Sequence, residues 1–111
     1  MATSTIKGIS ETTATASSGY TLRENRIVKK GNLLRIRLEV SGSIPPNDYR
    51  TVATLPEGYR PKVRTIKAIV PMAGTTGYLR IQPTGAIDIY PLNTINTAYI
   101  DETILDASGK E

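Results

Sequence analysis

Two tyrosines and two charged residues, each tyrosine placed two positions from a charge, are the side chains of this sequence best suited to recognition chemistry. They are Tyr78, Arg80, Asp88 and Tyr90. A tyrosine ring offers a flat apolar surface on which the carbon face of a sugar can stack, while guanidinium and carboxylate groups can bond to hydroxyl or phosphate groups. This combination predicts a saccharide-binding surface.

Catalytic chemistry has fewer candidate residues. The sequence contains no histidine and no cysteine, which excludes Ser-His and Cys-His catalytic pairs, disulfides and zinc-finger sites. The acids that a glycosidase could use as its two carboxylates are Asp88, Asp101, Glu102 and Asp106. Their spacing does not make any two face each other, and surface acids that offset basic residues explain them more simply. We therefore predict a binding protein that is not an enzyme, with no cofactor and no metal.

Nucleic-acid binding is an alternative suggested by the charge. The chain has 14 Lys and Arg against 10 Asp and Glu, a formal net charge of +4. Arg35 and Arg37 share one side of a predicted strand, and further basic residues lie between Arg60 and Lys67. Alternating charges on a strand more often form its solvated face, and no stacking aromatics are interleaved with them. We predict no nucleic-acid partner.

A β-hairpin is the element that must position the two tyrosines. Apolar and polar residues alternate on both sides of the turn Pro83-Thr84-Gly85, with the period of two that is typical of strands. With Gln82 opposite Ala86, the predicted register pairs Ile81 with Ile87, Arg80 with Asp88, Leu79 with Ile89 and Tyr78 with Tyr90. One face of the hairpin is then aliphatic, and the other carries the candidate site.

Strand patterns continue along most of the chain. The predicted strands are residues 20–28, 34–40, 49–55, 63–72, 78–82, 86–90 and 98–105. About seven short strands separated by turn signals indicate an all-β fold, an antiparallel β-barrel or sandwich. No apolar run approaches the roughly 20 residues of a membrane span, so we predict no membrane insertion.

The chain is expected to form one domain with two short extensions. Residues 1–18 are rich in Ser, Thr and Ala and are predicted to be a flexible linker or the end of a stalk. An alternative is that Ile6 and Ile9 pack against a neighbouring subunit. Residues 19–106 would form the β domain, and residues 107–111 a C-terminal tail.

Two motifs in the second half of the chain carry a resemblance to a known family. They are residues 55–61, Leu-Pro-Glu-Gly-Tyr-Arg-Pro, and residues 81–87, Ile-Gln-Pro-Thr-Gly-Ala-Ile, followed by a last strand near the C-terminus. Residues 26–34 fit less specifically. With these motifs the chain resembles the receptor-binding head domains at the tail-fibre and baseplate tips of phages that infect Gram-positive bacteria, such as the lactococcal siphophages.

The resemblance implies a function, an assembly and a location. A head domain of this family would be a homotrimer at the tail tip of the virion, made in the bacterial cytoplasm, joined to other tail or baseplate proteins, and would bind saccharide of the host cell envelope. In the lactococcal heads the hairpin contributes His, Asp and Trp to saccharide contact at positions aligned with Tyr78, Arg80 and Tyr90. None of these three residue types is retained here, and a different polysaccharide would be expected to require different contacts.

Two alternatives remain open from the sequence. Tyr78 and Tyr90 could pack together on the domain or in the trimer interface, and the whole domain could be a structural trimerising module that binds no glycan. The turn at residues 59–61 is expected to be structural, since Pro61 restricts the backbone and Arg60 could anchor the loop to a carboxylate.

Overall fold

Alternating side chains form strands throughout the computed structural model, which describes residues 4–6, 9–31, 33–72 and 75–104. In chain order the strands are β1 (Ser4–Ile6), β2 (Ile9–Thr12), β3 (Thr15–Ala16), β4 (Thr21–Lys30), β5 (Leu33–Ile44), β6 (Arg50–Thr54), β7 (Thr65–Met72), β8 (Thr75–Ile81), β9 (Ala86–Pro91) and β10 (Ile95–Ile104). No helix occurs in these ranges, so the predicted all-β class is confirmed. Strands β4 to β10 correspond to the seven predicted ones.

The strands form two five-stranded antiparallel sheets. The first sheet has the order β1-β2-β4-β5-β10, and the second has the order β3-β6-β9-β8-β7. Among the described strands no hydrogen-bonded ladder joins the two sheets, and β10 only lies beside β7. Of the two architectures left open by the sequence, the structure is therefore the sandwich, and barrel closure is not found.

The core lies between the sheets and is aliphatic. β5 supplies Leu34, Ile36, Leu38 and Val40 to it, as the alternation predicts. The second sheet supplies Val52, Leu79, Ile81, Ile87 and Ile89, all essentially buried. Each fully buried aliphatic side chain of this size stabilises the fold by roughly 1.5–3 kcal/mol before entropy is counted. This burial fixes which side chains face outward on every central strand.

The β8–β9 hairpin adopts the predicted register. Tyr78 lies opposite Tyr90 and Arg80 opposite Asp88. The turn is closed by two main-chain hydrogen bonds, 3.0 Å from Gln82 N to Ala86 O and 2.8 Å from Gly85 N to Gln82 O. Gly85 has a φ of 95°, which a glycine adopts at little cost. The hairpin thus presents one aliphatic and one polar-aromatic face.

The segment predicted to be a linker contains three strands. β1 pairs with β2, β2 pairs with β4, and β3 pairs with β6, so the chain crosses from the first sheet to the second between β2 and β3. Asn25 holds this crossing: its Oδ1 accepts from Ala14 N at 2.7 Å, and its Nδ2 donates to Ala14 O at 2.8 Å. The pairing relies on main-chain groups, for which the Ser- and Thr-rich composition gives no signal. The predicted domain limits stay predictions, and the tail at 107–111 lies outside the described residues.

Candidate ligand-binding surface

Strands β8 and β9 place the four predicted site residues together on the outer face of the second sheet. Tyr78 and Arg80 lie on β8, and their partners Tyr90 and Asp88 lie on β9. The intervening residues Leu79 and Ile89 point into the core, which fixes the outward direction of the four. A site assembled on two central strands is more rigid than one on loops.

Asp88 is buried although it belongs to the outer face. Its side chain is only 1% exposed. Oδ2 accepts hydrogen bonds from Arg80 Nε at 2.8 Å and Gln82 Nε2 at 3.0 Å, and Oδ1 accepts from the hydroxyl of Thr51 on β6. Arg80 Nη2 also lies 2.8 Å from Oδ2. The carboxylate is therefore closed to solvent and acts on a ligand only by holding Arg80 in place.

Arg80 is fixed on two sides. Its inner edge is bound to Asp88, and its Cζ lies 4.0 Å from the ring centroid of Tyr49, a cation–π distance. The side chain keeps 24% of its surface exposed. A guanidinium held this way presents its remaining N–H groups to solvent with little loss of conformational entropy on binding.

Three tyrosines form a cluster beside Arg80. Tyr49 and Tyr90 have ring centroids 5.2 Å apart at 65°, and Tyr78 and Tyr90 have centroids 6.0 Å apart at 70°, both edge-to-face arrangements. Tyr78 is 45% exposed, while Tyr49 and Tyr90 are half-buried. Tyr78 and Tyr90 do contact each other within one chain, and Tyr78 still offers a large open ring surface.

Tyr49 and Thr51 belong to the site although the sequence did not single them out. Both lie in the predicted strand 49–55, but nothing in one sequence shows that β6 pairs with β9. Thr51 lies directly opposite Asp88, and the β-bulge that follows it allows Val52 and Ala53 both to be buried. The only available signal was the residue type of Tyr49.

Apolar side chains border the tyrosine cluster. Ile66 on β7 lies directly opposite Arg80 and is 54% exposed. Leu92 follows β9, donates from its N–H to Thr76 O at 3.2 Å, and is 46% exposed. The three tyrosines, Arg80 and the two bordering apolar residues are named here the tyrosine face; its members are Tyr49, Ile66, Tyr78, Arg80, Tyr90 and Leu92.

The outer face of the first sheet is charged and internally compensated. Arg35 Nε donates to Asp101 at 3.2 Å, and this hydrogen bond is the main cause that lowers the pKa of Asp101 and raises that of Arg35. Further ion pairs are Arg26 with Glu11 at 2.7 Å, Arg37 with Glu24 at 3.2 Å and Arg23 with Glu39 at 3.9 Å. Arg35 and Arg37, which suggested nucleic-acid binding, are thus paired with acids.

The two sequence motifs meet in space. Leu55 N donates to Gly85 O at 2.8 Å, joining residues 55–61 to the hairpin turn. Arg60 Nε donates to Leu55 O at 3.0 Å, so Arg60 anchors the loop through a main-chain carbonyl, and the expected carboxylate partner was wrong. A Cβ atom on Gly85 would lie 2.6 Å from both Arg60 Nε and Leu55 O. These contacts give the motifs a structural role.

Other kinds of site have no counterpart in the described ranges. There, no three acidic side chains are grouped closely enough to hold a metal ion. A helix with the length and apolarity to cross a membrane is likewise absent from that part of the chain. No protein-family model matches the sequence, and no curated protein matches it. The resemblance to phage head domains therefore stays a prediction from its motifs.

Proposed function

We propose that this chain is the receptor-binding head domain of a phage tail fibre or baseplate, which attaches the virion to saccharide of a Gram-positive cell envelope. The observation that carries the binding role is the open ring of Tyr78 beside Tyr90 and the fixed guanidinium of Arg80. The phage setting and the homotrimer come from the resemblance of residues 55–61 and 81–87.

The tyrosine face suits stacking of a sugar ring. The carbon face of a pyranose would lie on Tyr78, with the edges of Tyr49 and Tyr90 beside it, and Arg80 would donate to an oxygen of the sugar. A surface with so few polar groups binds one sugar weakly. Several weak sites on one rigid tip give strong attachment, because the second binding event becomes intramolecular.

A structural trimerising module is the second candidate. It is favoured by the exposure of Ile66 and Leu92, since apolar side chains on the rim of a face are often covered in an assembly. In that case the tyrosine face would be buried between subunits, and no glycan would bind.

Binding of the purified oligomer separates the two functions. Its mass would first be determined by light scattering, and its binding to Gram-positive cells and to their extracted wall polysaccharides would then be measured against a glycan-free surface. We expect a trimer that binds one polysaccharide saturably. A trimer that binds no envelope component would contradict the adhesin function and favour the structural module.

A further inference from the structure

The positive charge of the tyrosine face is compensated inside the protein. Arg80 Nε and Nη2 both lie 2.8 Å from Asp88 Oδ2, and Asp88 is almost completely buried behind Arg80. An anion that approached Arg80 from solvent would meet a pair whose formal charges sum to zero. Since opposite charges so close together nearly cancel at a distance, the pair offers an anionic ligand little net attraction.

Arg80 can still donate hydrogen bonds to a ligand, although its long-range attraction for anions is largely cancelled by Asp88. A guanidinium has five N–H groups, and Asp88 engages the one at Nε and one at Nη2. Arg80 Cζ lies 4.0 Å from the ring centroid of Tyr49, and the two N–H groups at Nη1 and the second one at Nη2 are left for a ligand oxygen. A neutral hydroxyl, ring ether or acetamido carbonyl satisfies such a donor well.

The surface around Arg80 combines carbon with neutral polar groups. Ile66, opposite Arg80, and Tyr78, two residues before it, are exposed and offer carbon surface to a ligand, while Thr51 and Gln82 lie beside Asp88. Contact with carbon stabilises a ligand in proportion to the apolar area removed from water, whatever the charge of the ligand. Together with the compensated charge of Arg80, this composition discriminates against strongly hydrated anions.

We infer that the tyrosine face binds an uncharged saccharide and not a phosphate-bearing wall polymer. This inference rests on the proposed function and narrows its ligand class. Arg50, at the start of β6, and Arg64, just before β7, are exposed cations on the segments that flank the β8–β9 hairpin. These two cations have no acidic partner like that of Arg80 among the ion pairs of the described residues, so a polyanion bound on this sheet would be expected to use them.

The test compares two wall fractions. One is phosphate-free wall polysaccharide, and the other is poly(glycerol phosphate). Binding of the wild-type oligomer to each is measured between about 50 and about 500 mM NaCl, a range over which screening removes long-range attraction. We expect binding to the phosphate-free fraction with an affinity that changes by less than about twofold, because the ligand carries no charge.

A double variant, Arg50→Gln with Arg64→Gln, provides the matched control. It should bind the phosphate-free fraction as the wild type does, whereas Tyr78→Ala should lose binding. Preferential binding of poly(glycerol phosphate), weakened by salt and by the double variant, would overturn the uncharged-ligand inference while leaving the adhesin function intact. Binding to neither fraction would overturn the adhesin function and the inference with it.

Discussion

The carboxylate of Asp88 shows how one buried charge can organise a surface it does not reach. It accepts from Thr51, Arg80 and Gln82, so three side chains of the outer face take their positions from it. Arg80 in turn lies on Tyr49. Asp88 is a positioning residue, and its removal should change both stability and recognition.

We expect Asp88→Asn to destabilise the fold by about 2–4 kcal/mol, because removing one partner leaves a partly buried guanidinium without its counter-ion. Urea unfolding of the variant and the wild type measures the difference. Asp101→Asn is the control, since Asp101 lies in an ion pair on the exposed face of the first sheet. Equal, small losses in both variants would contradict the importance of burial at Asp88.

The lowered pKa of Asp101 predicts a pH dependence. Because Arg35 holds the folded-state pKa below the unfolded value, the pair stabilises the fold above the unfolded pKa, which is about 4, and this contribution is lost as the pH falls through the folded pKa. The effect is small, since both side chains are more than half exposed to solvent. In urea titrations, the free energy of unfolding of the wild type should exceed that of Asp101→Asn near neutral pH, and the two values should converge in acid. A constant difference down to the lowest pH would contradict this linkage.

At the scale of elements, the contact between residues 55–61 and the hairpin turn stabilises the β8–β9 register. Gly85 permits it in two ways, through a φ of 95° and through the absence of a Cβ atom that would lie 2.6 Å from Leu55 O. Because Leu55 and Arg60 occupy that space, the turn has no room for a larger residue.

Gly85→Ala is expected to cost about 3 kcal/mol or more, since left-handed backbone strain of about 1–2 kcal/mol is added to a steric clash. Gly31→Ala is the matched control: Gly31 has a φ of 60°, but nothing lies within 4 Å of its added Cβ. It should therefore show the backbone strain alone. Thermal or urea unfolding measures both, and equal losses would show that the loop contact contributes nothing.

The alternation of apolar and polar residues predicted those strands whose pairing and direction are determined by burial of their side chains. The register of the hairpin and the inward residues of β5 followed from alternation, because a shift by one residue would expose the whole aliphatic face. β1, β2 and β3 were missed because main-chain pairing holds them and few apolar side chains mark them. The bulge in β6 also interrupts the alternation. Tyr49 and Thr51 could not be placed at the site, because a single sequence does not show that β6 pairs with β9.

At the scale of the whole molecule, the two outer faces differ in chemistry. The first sheet presents alternating ion pairs, with Tyr99 as an exposed aromatic among them, while the second presents the tyrosine face. On the first sheet the charged groups bond to one another, whereas the second sheet combines one such pair with a cluster of three rings. Recognition should therefore occur on one side of the sandwich only.

A pair of tyrosine variants tests this asymmetry. Tyr78→Ala, at 45% exposure on the second sheet, should reduce binding to cells by about tenfold or more if this ring is a central contact. Tyr99→Ala, at 52% exposure on the first sheet, should leave binding unchanged. Adsorption assays with both variants, checked for folding by circular dichroism, compare the faces. Equal losses, or a loss only in Tyr99→Ala, would place the site elsewhere.

Tyr90→Ala tests the same face with a substitution that removes more contacts within the protein. Tyr90 contacts both other rings of the cluster, so its removal should also loosen Tyr49 under Arg80. We expect reduced adsorption together with a modest loss of stability, measured by urea unfolding alongside the adsorption assay. Unchanged adsorption would move the ligand site away from the tyrosine cluster.

The pairing of β5 with β10 has a consequence for biosynthesis. β5 ends at Ile44, but its neighbour on one side is complete only at Ile104. During translation one edge of β5 therefore stays unpaired until β10 has left the ribosome. Strand pairing between residues so far apart in sequence is also slow to form. A nascent chain stopped before β10 would leave that edge unpaired and would lack the core residues Ile95, Ala98, Ile100 and Ile104, which makes such a chain prone to aggregate.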